Sequence, residues 1–196
     1  MRYGKGKKET SRSLILEVAG KRFCEDGIDA SGIASIMSDA GLTHGAFYAH
    51  FESKEDLVKE VVEMALQRWR VALSEAAAAG PQGLRRAIEE HLRPKHCGEL
   101  GVSAGLIAEL VRHPRATRAM FSDALLDCLV PVADCFAAHD ESVRRSQAAA
   151  LFAQLIGTLQ LARMMPDDKR SDEILQAGIE AACHLLERAT EPMCRA

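Results

Sequence analysis

Three hydrogen-bonding rings crowd one short stretch of this chain: His44, Tyr48 and His50 lie close behind the hydroxyl of Thr43. The other candidates for chemistry do not converge. His96 and Cys97 are adjacent, so they cannot face each other on a regular element as a Cys–His nucleophile, and His91 sits one loop earlier. No His/Cys spacing matches a metal-ligand pattern. Cys128 and Cys135 share a helical face but stand about 10 Å apart along its axis, beyond disulfide reach. A redox switch pairing one of them with Cys97 is an alternative to small buried hydrophobes. No catalytic centre, metal or cofactor is expected, and the chain is not read as an enzyme. The chemistry left is hydrogen bonding from the 43–50 stretch to something outside the chain.

That stretch must be positioned, and Ser31 to Phe51 (SGIASIMSDAGLTHGAFYAHF) does so. Ser31 is placed to N-cap a short helix in which Ile33, Ile36 and Met37 form one apolar face. Gly41 supplies the positive φ of a sharp reversal, with Leu42 tucked behind it. Thr43 then caps a second helix, His44 to His50, which has poor intrinsic propensity because one turn holds Gly45 and two aromatics. Phe47 and Phe51 pack inward, leaving His44, Gly45, Tyr48 and His50 to face out. This is the pattern of a helix-turn-helix, whose second helix enters the DNA major groove.

The remaining chain is all helical in pattern. Hydrophobic residues make up 47% and charged residues 27% of 196, and no segment alternates as a strand would. A first helix spans Thr10 to Glu25 and ends at Gly27. Ser53-Lys54-Glu55-Asp56 opens a long helix that runs to about Ala78. Gly80-Pro81 begins another, reaching roughly Arg93. After a loop at 94–101, helices follow over about 102–112, 114–138 with Pro131 inside, 141–165 and 169–190, capped by Asp140 and by Asp167 or Asp168. No apolar run is long enough to span a membrane and the N-terminus lacks a signal core, so a cytoplasmic location with reduced thiols is expected. The net charge of −3 argues against a general nucleic-acid binder, yet Arg2, Lys5, Lys7 and Lys8 form an acid-free basic arm within a flexible segment 1–9.

Gly27, Ser31, Ile33, Ile36, Ala40-Gly41-Leu42-Thr43, Gly45, Phe47-Tyr48, His50-Phe51 and Ser53-Lys54-Glu55-Asp56-Leu57 resemble, in order and spacing, the signature of the TetR/AcrR family of transcriptional regulators. The resemblance covers roughly residues 10–60. It implies a three-helix DNA-binding domain over 1–54, joined by the long helix to a larger effector-binding and dimerisation domain over 55–196, about nine helices in all. It implies phosphate contacts or capped helix ends at Ser31, Thr43, Tyr48, His50 and Lys54, and base-edge contacts at His44, Gly45 and Ala46. His44 stands where many relatives carry Lys or Arg, so arginine readout of guanine is not available and DNA shape carries more of the specificity.

The last two helices carry apolar stripes: Ala148, Leu151, Phe152, Leu155, Leu159 and Ala162 on one, and Ile174, Gly178, Ile179, Ala182, Leu185 and Leu186 on the other. Ala149, Ala150, Ala153, Gly157, Ala177 and Ala181 broaden them. These faces are expected to build a four-helix homodimer interface, and the resemblance points the same way. It also implies a pocket for an apolar or amphipathic small molecule, with Trp69, Leu73, Leu106, Glu109, Leu110, Met120, Phe121, Cys128, Phe152 and Met164 as candidate walls. The function expected is a repressor that leaves a palindromic operator when the effector binds. The alternatives are a helical small-molecule-binding or enzymatic protein with a vestigial helix-turn-helix, or a thiol-based regulator.

Overall fold

The computed structural model describes residues 4–92, 107 and 109–191. Among these are seven α-helices, one 3₁₀ helix and no strand. They are α1 (Gly4–Glu25), α2 (Ile33–Asp39), the 3₁₀ helix (His44–Ala49), α3 (Lys54–Ala78), α4 (Gly80–His91), α5 (Arg115–Asp134), α6 (Glu141–Arg163) and α7 (Asp168–Thr190). Of the expected helix over 102–112, residues 102–106 and 108 lie outside the described residues, while 107, 109 and 110 are helical and 111–112 form a turn.

Local signals set most boundaries. Asp56 N–H donates to Ser53 Oγ at 3.1 Å, and the Glu52 N–H, just ahead of the cap, donates to the Asp56 carboxylate at 3.1 Å, so a variant of the capping box opens α3. Asp140 accepts from Ser142 N–H, and Asp167 from Arg170 N–H. α2 ends in a Schellman turn: Gly41 has φ +66°, its N–H bonds to the Ser38 carbonyl, and the Leu42 N–H bonds to that of Met37.

Other expectations need correction. Residues 4–9 are not a loose arm, because α1 already begins at Gly4; Lys5, Lys7, Lys8 and Glu9 around the glycines are good helix formers and extend it backwards. The helix from Pro114 stops at Asp134 rather than running to about Ala138. There Phe136 is buried in the core, and the Ala137 N–H bonds across to the Ala189 carbonyl.

Two apolar clusters form the core among the described residues. The first joins Ile15, Phe23, Ile36, Phe47 and Phe51 to the first half of α3 and to Leu110 and Cys128. The second is built by α4, the end of α5, α6 and α7. Ala148, Leu151, Leu159, Ala162, Gly178, Ala182 and Leu186, expected to face a partner, are buried within this second cluster or its helix contact instead. A Cβ on Gly178 would collide with Thr158, so α6 and α7 meet closely there. The faces left exposed carry Ala149, Ala150, Ala153, Gly157, Leu161 and Met164 on α6, and Ala177, Ala181 and Leu185 on α7.

Candidate nucleic-acid interface and interior cavity

The 3₁₀ helix sits on an aromatic floor. Phe47 is wholly buried, its ring 5.5 Å from that of Phe51, and the Arg12 guanidinium lies 5.0 Å from the Phe51 centroid. Of the residues expected to face out, His44, Gly45 and Tyr48 do so, as does Thr43, with the His44 and Tyr48 rings in edge contact at 6.0 Å. The segment is 3₁₀ rather than α, and Thr43 makes no side-chain cap. With Gly45 and two aromatics in one turn, the tertiary floor fixes the segment and intrinsic propensity does not. Ala46 is half-buried against the first cluster and His50 half-buried beside Phe51, so both are less available than expected.

Ser31 departs furthest from expectation. It is 0% exposed, and its hydroxyl donates to the Gly27 carbonyl at 2.7 Å. Gly32 takes the N-cap position of α2 without a side-chain bond. A serine five residues into a turn region can cap forward or bond backward, and here it bonds backward, out of reach of any phosphate. Lys54 is at the surface, where its ammonium donates to the Asp29 carbonyl at 3.2 Å and has donors to spare.

From Phe23 to Ser53 the chain has no Lys or Arg and five acids, Glu25, Asp26, Asp29, Asp39 and Glu52. Arg22 neutralises two of them, bonding Asp39 at 2.6 Å and Asp26 at 3.0 Å and so tying α1 to α2. Cationic attraction for a polyanion must therefore come from the flanks, α1 and the start of α3.

Two carboxylates staple this end of the molecule to the rest. Glu109 accepts the Ile28 N–H at 2.5 Å, against a Gly27 whose φ of +90° brings the backbone close. Glu55, in the first turn of α3, accepts from Thr117 at 2.5 Å and pairs with His113 at 3.0 Å. Burial pushes the Glu55 carboxyl up, but these hydrogen bonds outweigh it and hold it below the usual range.

Inside the second half lies a cavity of about 70 Å³, walled by α3, α4, α5 and α6. Of the candidate effector-pocket walls, Trp69, Leu73 and Phe152 line this cavity, with Ala72, Leu84, Ala87, Ile88, His91, Leu129, Val132, Ala148, Leu151 and Leu155. The other candidate walls are elsewhere. Leu110, Met120, Phe121 and Cys128 belong to or pack on the first cluster, Glu109 staples Ile28, and Met164 is 74% exposed. Leu106 lies outside the described residues. His91 was the residue missed: its place on a short helix looks like surface, and only packing turns it inward. Cys128 and Cys135 have their thiols pushed up by burial, which disfavours the reactive thiolate; Cys97 lies outside the described residues. No group of three or more metal-binding side chains occurs among the described residues, and no described helix is long and apolar enough to cross a membrane.

Residues 15–61 match the family described as bacterial regulatory proteins, tetR family. Over 191 residues the chain is 28% identical to the HTH-type transcriptional repressor BepR of Brucella suis, a match covering 95% of this chain and 79% of that protein. It is 37% identical over 57 residues to the HTH-type transcriptional regulator AcrR of Shigella flexneri, only 29% of this chain and 26% of AcrR. The fold superposes on E. coli NemR in its reduced form with a TM-score of 0.74 at 17% identity, over 89% of this chain and 96% of that one.

Proposed function

We propose that the chain is a member of the tetR family of bacterial regulatory proteins and a DNA-binding transcriptional regulator, and, more finely, a cytoplasmic, homodimeric repressor, not an enzyme, that a small molecule releases from a palindromic operator. One observation carries the reading: a 3₁₀ segment of low propensity is held on a buried Phe47–Phe51 floor while Thr43, His44, Gly45 and Tyr48 are left outward. Nothing inside the molecule needs glycine at position 45, since a Cβ there meets no atom within 4 Å and φ is not positive. A small, open position on an exposed reading face suits close approach to base edges.

Residues 1–54 form the reading head in this account, and 55–196 sense and dimerise. Thr43, Tyr48 and Lys54 hold phosphates, with His44 and Gly45 facing the bases. The exposed stripes Ala150–Ala153–Gly157–Leu161 and Ala177–Ala181–Leu185 are small and apolar, which fits a close four-helix contact between two copies. That places two heads about one helical turn of DNA apart. An effector acts by favouring a conformer with a different head spacing, to the extent that it binds that conformer better. The Glu109–Ile28 and Glu55–Thr117 contacts are the route by which a shift in the sensing half reaches the heads.

Selection from a random duplex pool, followed by mobility shifts of the enriched site at two salt concentrations, tests the proposal. The expected outcome is a palindromic site, a dimer-sized and salt-sensitive complex, and loss of both dimer and shift in Ala153→Arg. No enrichment, or a strictly monomeric wild-type protein, would refute it.

A further inference from the structure

The cavity contains two polar atoms that its own walls do not serve. Trp69, 4% exposed, and His91, 7% exposed, both line it. Neither Trp69 Nε1 nor His91 Nε2 has a hydrogen-bond partner among the described residues. The two rings stand edge to face with centroids 5.4 Å apart, and Phe152 packs against the other side of Trp69 at 4.7 Å. A buried polar group left without a partner is costly, so two at one cavity are a standing demand for hydrogen bonds.

The walls define what can meet that demand. Leu73, Leu84, Ile88 and Val132 supply only hydrocarbon, and no charged side chain lines the cavity among the described residues. An ionised ligand would find no counter-charge on the lining itself. A purely hydrocarbon ligand would leave both nitrogens unserved. The indole N–H needs an acceptor. The neutral imidazole Nε2 needs a donor or an acceptor, depending on which nitrogen holds the proton. A carbonyl oxygen serves the indole alone when Nε2 is the bare nitrogen. A hydroxyl accepts and donates, so it serves both nitrogens in either tautomer.

We propose that this cavity takes an uncharged, ring-sized apolar molecule bearing a hydroxyl, anchored by Trp69 Nε1–H and His91 Nε2. This rests on the effector reading above and gives that effector its chemical class. Arg163 also sets a positive field at His91, which disfavours a cationic ligand.

The single tryptophan of the chain is the reporter. Phenol and benzene share a ring and differ by one hydroxyl, and each is titrated against full-length protein by Trp69 fluorescence and by calorimetry. The phenol is expected to bind about tenfold more tightly, the worth of one neutral hydrogen bond completed in a buried site. Trp69→Phe and His91→Phe keep a ring in place and remove one anchor each. Each is expected to shrink the preference to about threefold or less, read by calorimetry where the fluorophore is gone. Equal affinity of wild type for both compounds, binding of neither, or a preference unchanged in both variants would overturn the assignment. Mobility shift reads the effector role separately. Operator release by both compounds alike refutes the hydroxyl anchor and leaves effector control standing. Hydroxyl-selective binding without release does the reverse.

Discussion

His91 makes the protein's acid stability a test of the cavity. Burial in an apolar wall, with the positive charge of Arg163 adding to it, pushes its imidazole down from the usual 6.5 to about 4. A group whose folded pKa lies below its unfolded value takes up protons first in the unfolded chain, so stability falls as pH drops through the interval from 6.5 to about 4. At pH 5 the unfolded imidazole is almost wholly protonated and the folded one only about one-tenth so, which costs about 2 kcal/mol relative to pH 7.5. The full interval is worth about 3.4 kcal/mol at 1.36 kcal/mol per unit. The assay is urea unfolding of wild type and His91→Phe at both pH values and one fixed protein concentration, since a dimer's apparent stability depends on it. Every other titrating group is common to the two proteins, so the comparison isolates this one even if the variant is less stable at both pH values. Wild type is expected to lose about 2 kcal/mol more than the variant on acidification. Equal losses would show that the imidazole is solvated, and the buried, orphaned nitrogen at the cavity wall would go with it.

Gly45→Leu is expected to leave the melting temperature almost unchanged, since a side chain there meets nothing, while reducing operator affinity at least tenfold; intact binding would remove position 45 from the interface. Lys54→Gln should lower the slope of log affinity against log salt by about 1.8 for the dimer, ~0.9 for the one phosphate lost by each protomer. Glu109→Leu leaves the buried Ile28 N–H without its acceptor and should cost about 1–3 kcal/mol by thermal unfolding, together with an altered effector response in the mobility shift. Gly178→Ala drives a methyl into Thr158 and should cost about 1–3 kcal/mol, with denaturant unfolding as the measure.

What the sequence reveals here depends on the range of the interaction. Ser53, Asp140 and Asp167 are legible as caps because donor and acceptor lie two or three residues apart, and Gly41 because only a positive φ closes that turn. Ser31 defeats the same logic, since its hydroxyl has two local partners of similar merit and burial decides between them. The stripes on α6 and α7 are visible as periodicity, yet periodicity does not say whether a helix's own subunit or a second copy covers a face. Ala148 and Leu159 go to the first, and the small residues beside them are left outside. The cavity was least accessible, because its walls come from four helices and its most informative residue, His91, sits on a helix with Arg85, Arg86, Glu89 and Glu90 around it. Only Trp69, Leu73 and Phe152 announce themselves, through size and apolar spacing.

α3 is one uninterrupted rod of 25 residues, with Lys54 as its first residue, beside the helix-turn-helix, and Trp69 in the cavity wall. The two side chains are about 22 Å apart along it at ~1.5 Å per residue. A ligand that tilts the rod by about 5° around the tryptophan therefore swings the lysine end through ~2 Å. Mirrored in a second copy, that changes the gap between heads by up to about 4 Å against a groove spacing of roughly 34 Å. A guest no larger than one ring thus has the mechanical advantage to put both heads out of step with the duplex.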